Sequence, residues 1–140
     1  MYRYLNGGSS CDSRGEIRFV NEFDMSLVRR FYLIKNLNID VVRGWRGHKN
    51  ENRWFYPISG SFILQLVQID NWQNPSKTLP VSQEILTASG DRLLHIPNGY
   101  ATTIQSIEED SQLLVFADSV VVDAHKDDYT WDLDYFLNKK

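Results

Sequence analysis

Within the stretch "VVRGWRGHKNENRWFYPISG", Val41 to Gly60, one histidine stands among three arginines and aromatic residues, a concentration of chemical potential found nowhere else in the chain. Imidazole titrates near neutrality, so His48 could move a proton or ligate a metal. Guanidinium stays charged at every relevant pH and serves instead to hold anions or a developing oxyanion. In an extended strand, Arg46 and His48 point to the same face, because side chains alternate. Arg43 lies five residues from His48 and joins that face only if Gly44 or Gly47 carries a bulge. Otherwise the plainest account of the segment is a polar histidine inside a sheet, satisfied by hydrogen bonds.

β-branched and aromatic residues gather in short runs divided by Gly, Asn, Asp and Pro, and no window shows a sustained helical apolar face. The chain therefore reads as all-β. Strands are expected near Ile17 to Phe23, Val28 to Leu37, Val41 to Gly47, Arg53 to Ile58, Ser61 to Ile69, Gln83 to Ala88, Arg92 to Ile96, Thr102 to Ile107 and Gln112 to Ala117. Ser59-Gly60 and Ser89-Gly90-Asp91 offer the positive φ of tight turns, which argues for antiparallel pairing. About nine strands must close into a barrel or a two-sheet jelly roll to protect their edges. The segment "DNWQNPSKTLP" is the longest loop, of a kind that often rims a pocket. Residues 1–140 read as a single domain, with 1–16 a flexible or edge segment and 123–140 a C-terminal tail docking Trp131, Tyr135 and Phe136.

The 140 residues carry 15 Lys and Arg against 18 Asp and Glu, a net charge of -3, with no long basic run, so nucleic acid is not an expected partner. A single cysteine, Cys11, excludes an intramolecular disulfide framework, and "MYRYLNGGSSCDS" has no apolar core of a signal peptide. The expectation is a cytoplasmic protein. The apolar run Phe62 to Ile69 is far too short to cross a bilayer as a helix, so no membrane partner is expected.

Several motifs in order, "RGWRGHK", "FYPISGSF", "GDRLLHIPNGYATTIQ", "LLVFADS" and "DDY", resemble the RmlC-like and WxcM-like cupins that act on deoxysugar nucleotides, nearly over the whole chain. The similar enzymes are dTDP-4-keto-6-deoxyglucose 3,4-ketoisomerases and dTDP-4-dehydrorhamnose 3,5-epimerases. The resemblance implies a cupin jelly roll, mainly antiparallel, that forms a homodimer and binds a dTDP-linked sugar in the mouth of its barrel. Many cupins hold a metal at positions that fall here on Arg46, His48, about Arg53 and Thr102. Two guanidiniums there would repel a divalent ion, so neither metal nor other cofactor is expected.

The ketoisomerase pattern has histidines at both His-x-His positions, and this chain keeps the second as His48 with Arg46 in place of the first. The epimerase pattern also puts its catalytic histidine at Arg46, and a guanidinium cannot act as the base. The resemblance thus implies His48 as the proton-transferring group, Arg46 as the holder of oxyanion or phosphate charge, and Tyr32 in "RRFYLI" as an assisting tyrosine. Tyr32 reads equally well as a packed strand residue. Arg30, Arg43 and Arg53 supply cations for a diphosphate, Trp45, Phe55 and Tyr56 flat surfaces for a base, and Tyr100 in "NGYA" is a further candidate for binding. His95, before Pro97, could be structural, and His125 in the acidic tail reads as solvated. The function expected is isomerase chemistry, epimerisation or 3,4-ketoisomerisation, by proton transfer beside a ketone. Its alternatives are a non-catalytic cupin that binds nucleotide sugars or carbohydrate, and a structural dimerisation module whose barrel mouth is plugged by "WFY".

Overall fold

The computed structural model describes residues 1–137, so the last three residues of the expected C-terminal tail lie outside the described residues. Antiparallel strands account for nearly all of the regular structure. One five-stranded sheet contains β1 (Arg3–Asn6), β9 (Arg92–Ile96), β6 (Arg53–Ser59), β11 (Gln112–Ala117) and β4 (Arg30–Ile34), in that spatial order. The second contains β12 (Tyr129–Thr130), β5 (Val42–His48), β10 (Tyr100–Ser106), β7 (Ser61–Gln68) and β8 (Ser82–Thr87). A separate hairpin joins β2 (Gly8–Asp12) to β3 (Gly15–Phe19). The only α-helix among the described residues is α1 (Val121–Lys126).

Alternation explains how two sheets make one interior. Phe55 of β6, Leu94 and Ile96 of β9 and Leu113 and Val115 of β11 face Phe62, Leu64 and Leu66 of β7, Leu86 of β8 and Ile104 of β10 in a single apolar cluster. The opposite face of the second sheet is also dry. Trp45, Val67 and Ala101 there lie under the tail residues Trp131, Tyr135 and Phe136, with Phe136 fully buried and its ring 5.0 Å from Trp45. The outer face of the first sheet buries Trp54 and Leu93 beneath Val20, Phe23 and Val28. Both apolar faces of β7 are thus covered within one chain.

Two local expectations are amended, the Phe23 boundary and the Ser89-Gly90-Asp91 turn. Residues 1–16, read as a flexible or edge segment, contain β1 at the sheet edge and β2 in the hairpin, while the strand expected up to Phe23 stops at Phe19. Gly60 does take positive φ, +69°, in the tight turn joining β6 to β7. The turn at Ser89-Gly90-Asp91 is instead a corner: β8 and β9 belong to different sheets, and Asp91 rather than Gly90 adopts the left-handed conformation, φ 51°.

Candidate functional site

The bulge needed to unite Arg43, Arg46 and His48 is present. Along the β5–β10 pairing Arg43 lies opposite Ile104 and Arg46 opposite Thr102, so Gly44 and Trp45 together face Thr103. Gly44 sits at φ +128°, and a Cβ there would collide with the Thr102 carbonyl oxygen and lie 2.9 Å from Thr103 Cα. The extra residue sends Trp45 outward into the dry layer under the tail and returns Arg43 to the interior face. All three side chains line one cavity of about 680 Å³, together with Arg30 and Tyr32 of β4 and Arg53 of β6. Six of the ten side chains singled out from sequence for catalysis or binding therefore meet in one place.

The other four lie elsewhere. Tyr56 points from the opposite face of β6 to the Arg18 guanidinium, 5.0 Å from its ring centre, because residues 53 and 56 differ in parity along a regular strand. Tyr100 is buried in the core, edge-on to Tyr2 with ring centres 6.0 Å apart, and lines a second cavity instead. Trp45 faces outward as described, and Phe55 is sealed in the interior. His95 stacks on Trp54 at 4.8 Å and donates from Nδ1 to the Arg53 carbonyl oxygen at 3.2 Å, away from the cavity. His125, read as solvated, is exposed yet lines the cavity rim from α1.

His48 is held by contacts that its neighbours in sequence do not reveal. Its Nδ1 lies 3.1 Å from the Asp127 carbonyl oxygen and 3.4 Å from Glu51 Oε2. Both are acceptors, so Nδ1 carries the proton and Nε2, without a partner among the described residues, is the basic nitrogen. Burial, with the guanidiniums of Arg53, Arg46 and Arg30, pushes the His48 pKa down to about 3, while the Asp127 carbonyl acts to raise it. The ring is thus neutral at neutral pH, and its contact with Glu51 is a dipole-to-charge contact in the resting protein.

Asp127 and Glu51 were missed by sequence reasoning. The Asp127 carboxylate accepts from the backbone N–H groups of Lys49, Asn50 and Glu51 at 2.8 to 3.1 Å, which fixes the turn after β5. Glu51 is almost fully buried; its Oε1 accepts from Arg30 Nη2 at 2.7 Å and Ser119 Oγ at 2.5 Å. The one signal available was its place three residues after His48, close in any tight turn.

The arginines divide by depth. Arg46 is more than half exposed and pairs with Asp128 at 3.2 Å. Arg43 donates to Asn36 at 2.7 Å near the mouth. Arg53 is only 5% exposed, donates to Thr102 Oγ1 at 3.1 Å and lies over the Phe55 ring, with no carboxylate partner. A divalent metal does not fit among these donors: the positions expected from other cupins carry two guanidiniums, a hydroxyl and one imidazole, and no group of three or more His, Cys, Asp or Glu converges among the described residues.

A two-sheet jelly roll with a cation-lined cavity around one buried imidazole defines a cupin of the RmlC-like type. The chain belongs to the family described as "FdtA: WxcM-like, C-terminal", whose model matches residues 8–140. A search of curated proteins gave no match. Among solved structures, the dTDP-4-dehydrorhamnose 3,5-epimerase from Bacillus anthracis str. Ames, with TDP and PPi bound, is similar with a TM-score of 0.76 and 14% identity, covering 97% of this chain and 82% of that one. The WlaRB TDP-quinovose 3,4-ketoisomerase from Campylobacter jejuni has a TM-score of 0.70 and 22% identity, covering 99% and 98%. The QdtA 3,4-ketoisomerase from Thermoanaerobacterium thermosaccharolyticum, in complex with TDP, has a TM-score of 0.70 and 20% identity, covering 98% and 92%. At these identities the likeness is one of fold.

Proposed function

We propose that the protein is a sugar-nucleotide isomerase, which takes a proton from the carbon beside the ketone of a TDP-linked 4-keto-6-deoxysugar through His48. The observation that carries this reading is a buried, neutral imidazole whose Nδ1 donates to the Asp127 carbonyl beside the Glu51 carboxylate, in a cavity whose charged side chains are mostly cationic. The cations suit a diphosphate, with Arg43 and Arg46 at the mouth to receive it. Arg53, rather than Arg46, is the better-placed group for the enolate oxygen, because it is buried beside His48 without a counter-charge, where a positive charge acts most strongly. Tyr32, under the Arg30 guanidinium at 5.1 Å, lines the same wall and can donate a phenolic proton.

In this mechanism the C–H bond breaks, its electron pair moves onto the ketone oxygen, and Nε2 takes the proton. The proton of the neighbouring hydroxyl passes to the former ketone oxygen within the enediol, and return of the first proton from Nε2 to the former carbonyl carbon on the same face, as the new ketone forms, completes a 3,4-ketoisomerisation with one base. Epimerisation needs a donor on the opposite face as well, so the single buried imidazole favours ketoisomerisation. Binding of the diphosphate supplies negative charge that offsets the arginines and makes His48 a stronger base in the complex than in the free protein.

The test is incubation with TDP-4-keto-6-deoxyglucose in deuterated water, reading label at the carbons beside the ketone. His48→Asn is expected to keep TDP binding and to abolish exchange. Binding without exchange in the wild-type protein would leave a non-catalytic nucleotide-sugar cupin as the better account. We further infer a homodimer acting in the cytoplasm, on sugars destined for surface polysaccharide. The dimer is supported by Phe31 and Leu33, exposed apolar residues on the edge strand β4, at 68% and 54%.

A further inference from the structure

We infer that Glu51 is a positioning residue for the reaction: its free Oε2 holds His48 as the Nδ1–H tautomer and offsets the positive charge that the imidazole acquires with the substrate proton. This rests on His48 being the base.

The two oxygens of Glu51 are in different situations. Oε1 is occupied by Arg30 and Ser119, which also fixes the carboxylate, since Arg30 Nε donates in turn to the Ser119 carbonyl at 3.0 Å. Oε2 is buried, has no hydrogen bond of good geometry, and faces His48 Nδ1 at 3.4 Å. A buried anionic oxygen without a partner is costly, and proteins retain few of them without a use. The neutral imidazole satisfies it poorly. An imidazolium satisfies it well, because the Nδ1–H bond strengthens when the ring is charged.

Proton abstraction creates that charge in a difficult place. When Nε2 accepts the substrate proton, the ring becomes cationic among Arg30, Arg46 and Arg53, all of which oppose it. Arg46 is engaged with Asp128 and Arg30 with Glu51, while Arg53 has no carboxylate partner. The Asp127 carbonyl offers a dipole but no net charge. Glu51 is the carboxylate in contact with the ring, and it gains most from the contact at the moment the proton arrives. A purely structural role as partner of Arg30 would leave both the tautomer and the base strength of His48 indifferent to Oε2.

The experiment uses Glu51→Gln in the full chain and reads two quantities. First, 15N-correlated spectra of the histidine rings at neutral pH, without ligand, report which nitrogen of His48 bears the proton. The wild type is expected as the Nδ1–H form, and the variant as a mixture or as the Nε2–H form, since the new amide can present an N–H to Nδ1. Second, turnover of TDP-4-keto-6-deoxyglucose is expected to fall in kcat by roughly 10- to 100-fold with KM changed less than about threefold. The acid limb of kcat/KM is expected to move to lower pH, as removal of the carboxylate weakens the base. A variant with wild-type tautomer, kcat and pH profile would reduce Glu51 to a partner of Arg30. An Nε2–H tautomer in the wild-type protein would overturn the inference even if the variant failed to fold. Exchange retained in His48→Asn would instead remove the base itself, so the two failures are distinct.

Discussion

Acid should destabilise this protein through one identified imidazole. His48 has an ordinary pKa of 6.5 that the fold pushes down to about 3. Between those values the unfolded chain binds a proton at this residue and the folded protein does not, so stability rises with pH through that window and falls as the solution is acidified. At pH 7.5 both states are neutral and the contribution is near zero. At pH 5 the unfolded residue is almost fully protonated while the folded one is neutral, a difference of about 1.5 pH units at 1.36 kcal/mol each, or ~2 kcal/mol lost. His95 is also pushed down, mainly by burial, and adds to the slope in the same direction. The clean measurement is therefore a difference: urea unfolding of wild type and His48→Asn at pH 5 and 7.5. Between those values the wild type is expected to lose ~2 kcal/mol more than the variant, because the contribution of His95 and the carboxylates cancels. Equal losses in the two proteins would show that His48 is not held neutral by its site, and the account of the resting base would fall with it.

Gly44→Ala should cost ~2 kcal/mol or more in urea unfolding and weaken TDP binding, since a Cβ there meets Thr102 and Thr103 and the bulge carries Arg43; an unchanged midpoint would refute the role given to the bulge. Arg53→Met should leave the ligand-free protein as stable or ~1 kcal/mol more stable, because a buried cation without a counter-charge is removed, while solvent exchange into the keto sugar is lost. Thermal unfolding and the exchange assay test that pair, and retained exchange would move the oxyanion role back to Arg46. Phe136→Ala should cost ~3–5 kcal/mol, as the fully buried ring seals the outer face of the second sheet against Trp45. Light scattering at micromolar concentration should give about twice 16.3 kDa, and a mass near 16.3 kDa itself would count against the dimer.

Where short-range rules decide structure, the sequence was readable. Alternation and turn residues located every strand from β4 to β11, and the Ser59-Gly60 hairpin followed from glycine's freedom at positive φ. The errors fall where neighbours in space outweigh neighbours in sequence. Ser89-Gly90-Asp91 carries the composition of a hairpin turn yet turns a corner between sheets, because Leu86 and Leu94 must both reach the common interior from opposite sides. β2 is a run of Gly, Ser and Cys with no apolar face, and only its pairing with β3 makes it a strand.

The site divides in the same way, and the division says something about how it works. Arg43, Arg46 and His48 could be placed together from spacing plus one bulge, since the condition for their meeting was local. Their chemical states could not. Whether His48 is base or acid depends on Asp127, 79 residues away, whose carbonyl meets Nδ1 while its carboxylate ties down the backbone that follows. Two residues beyond Asp127, β12 pairs with β5, with Tyr129 opposite Gly47 and Thr130 opposite Arg46. The tail that covers the dry face of the sheet through Trp131 and Phe136 is therefore also the element that sets the imidazole. Loosening that cover by Phe136→Ala should thus reach the His48 ring as well as the core, which a cavity in the sheet interior would not do by the same route.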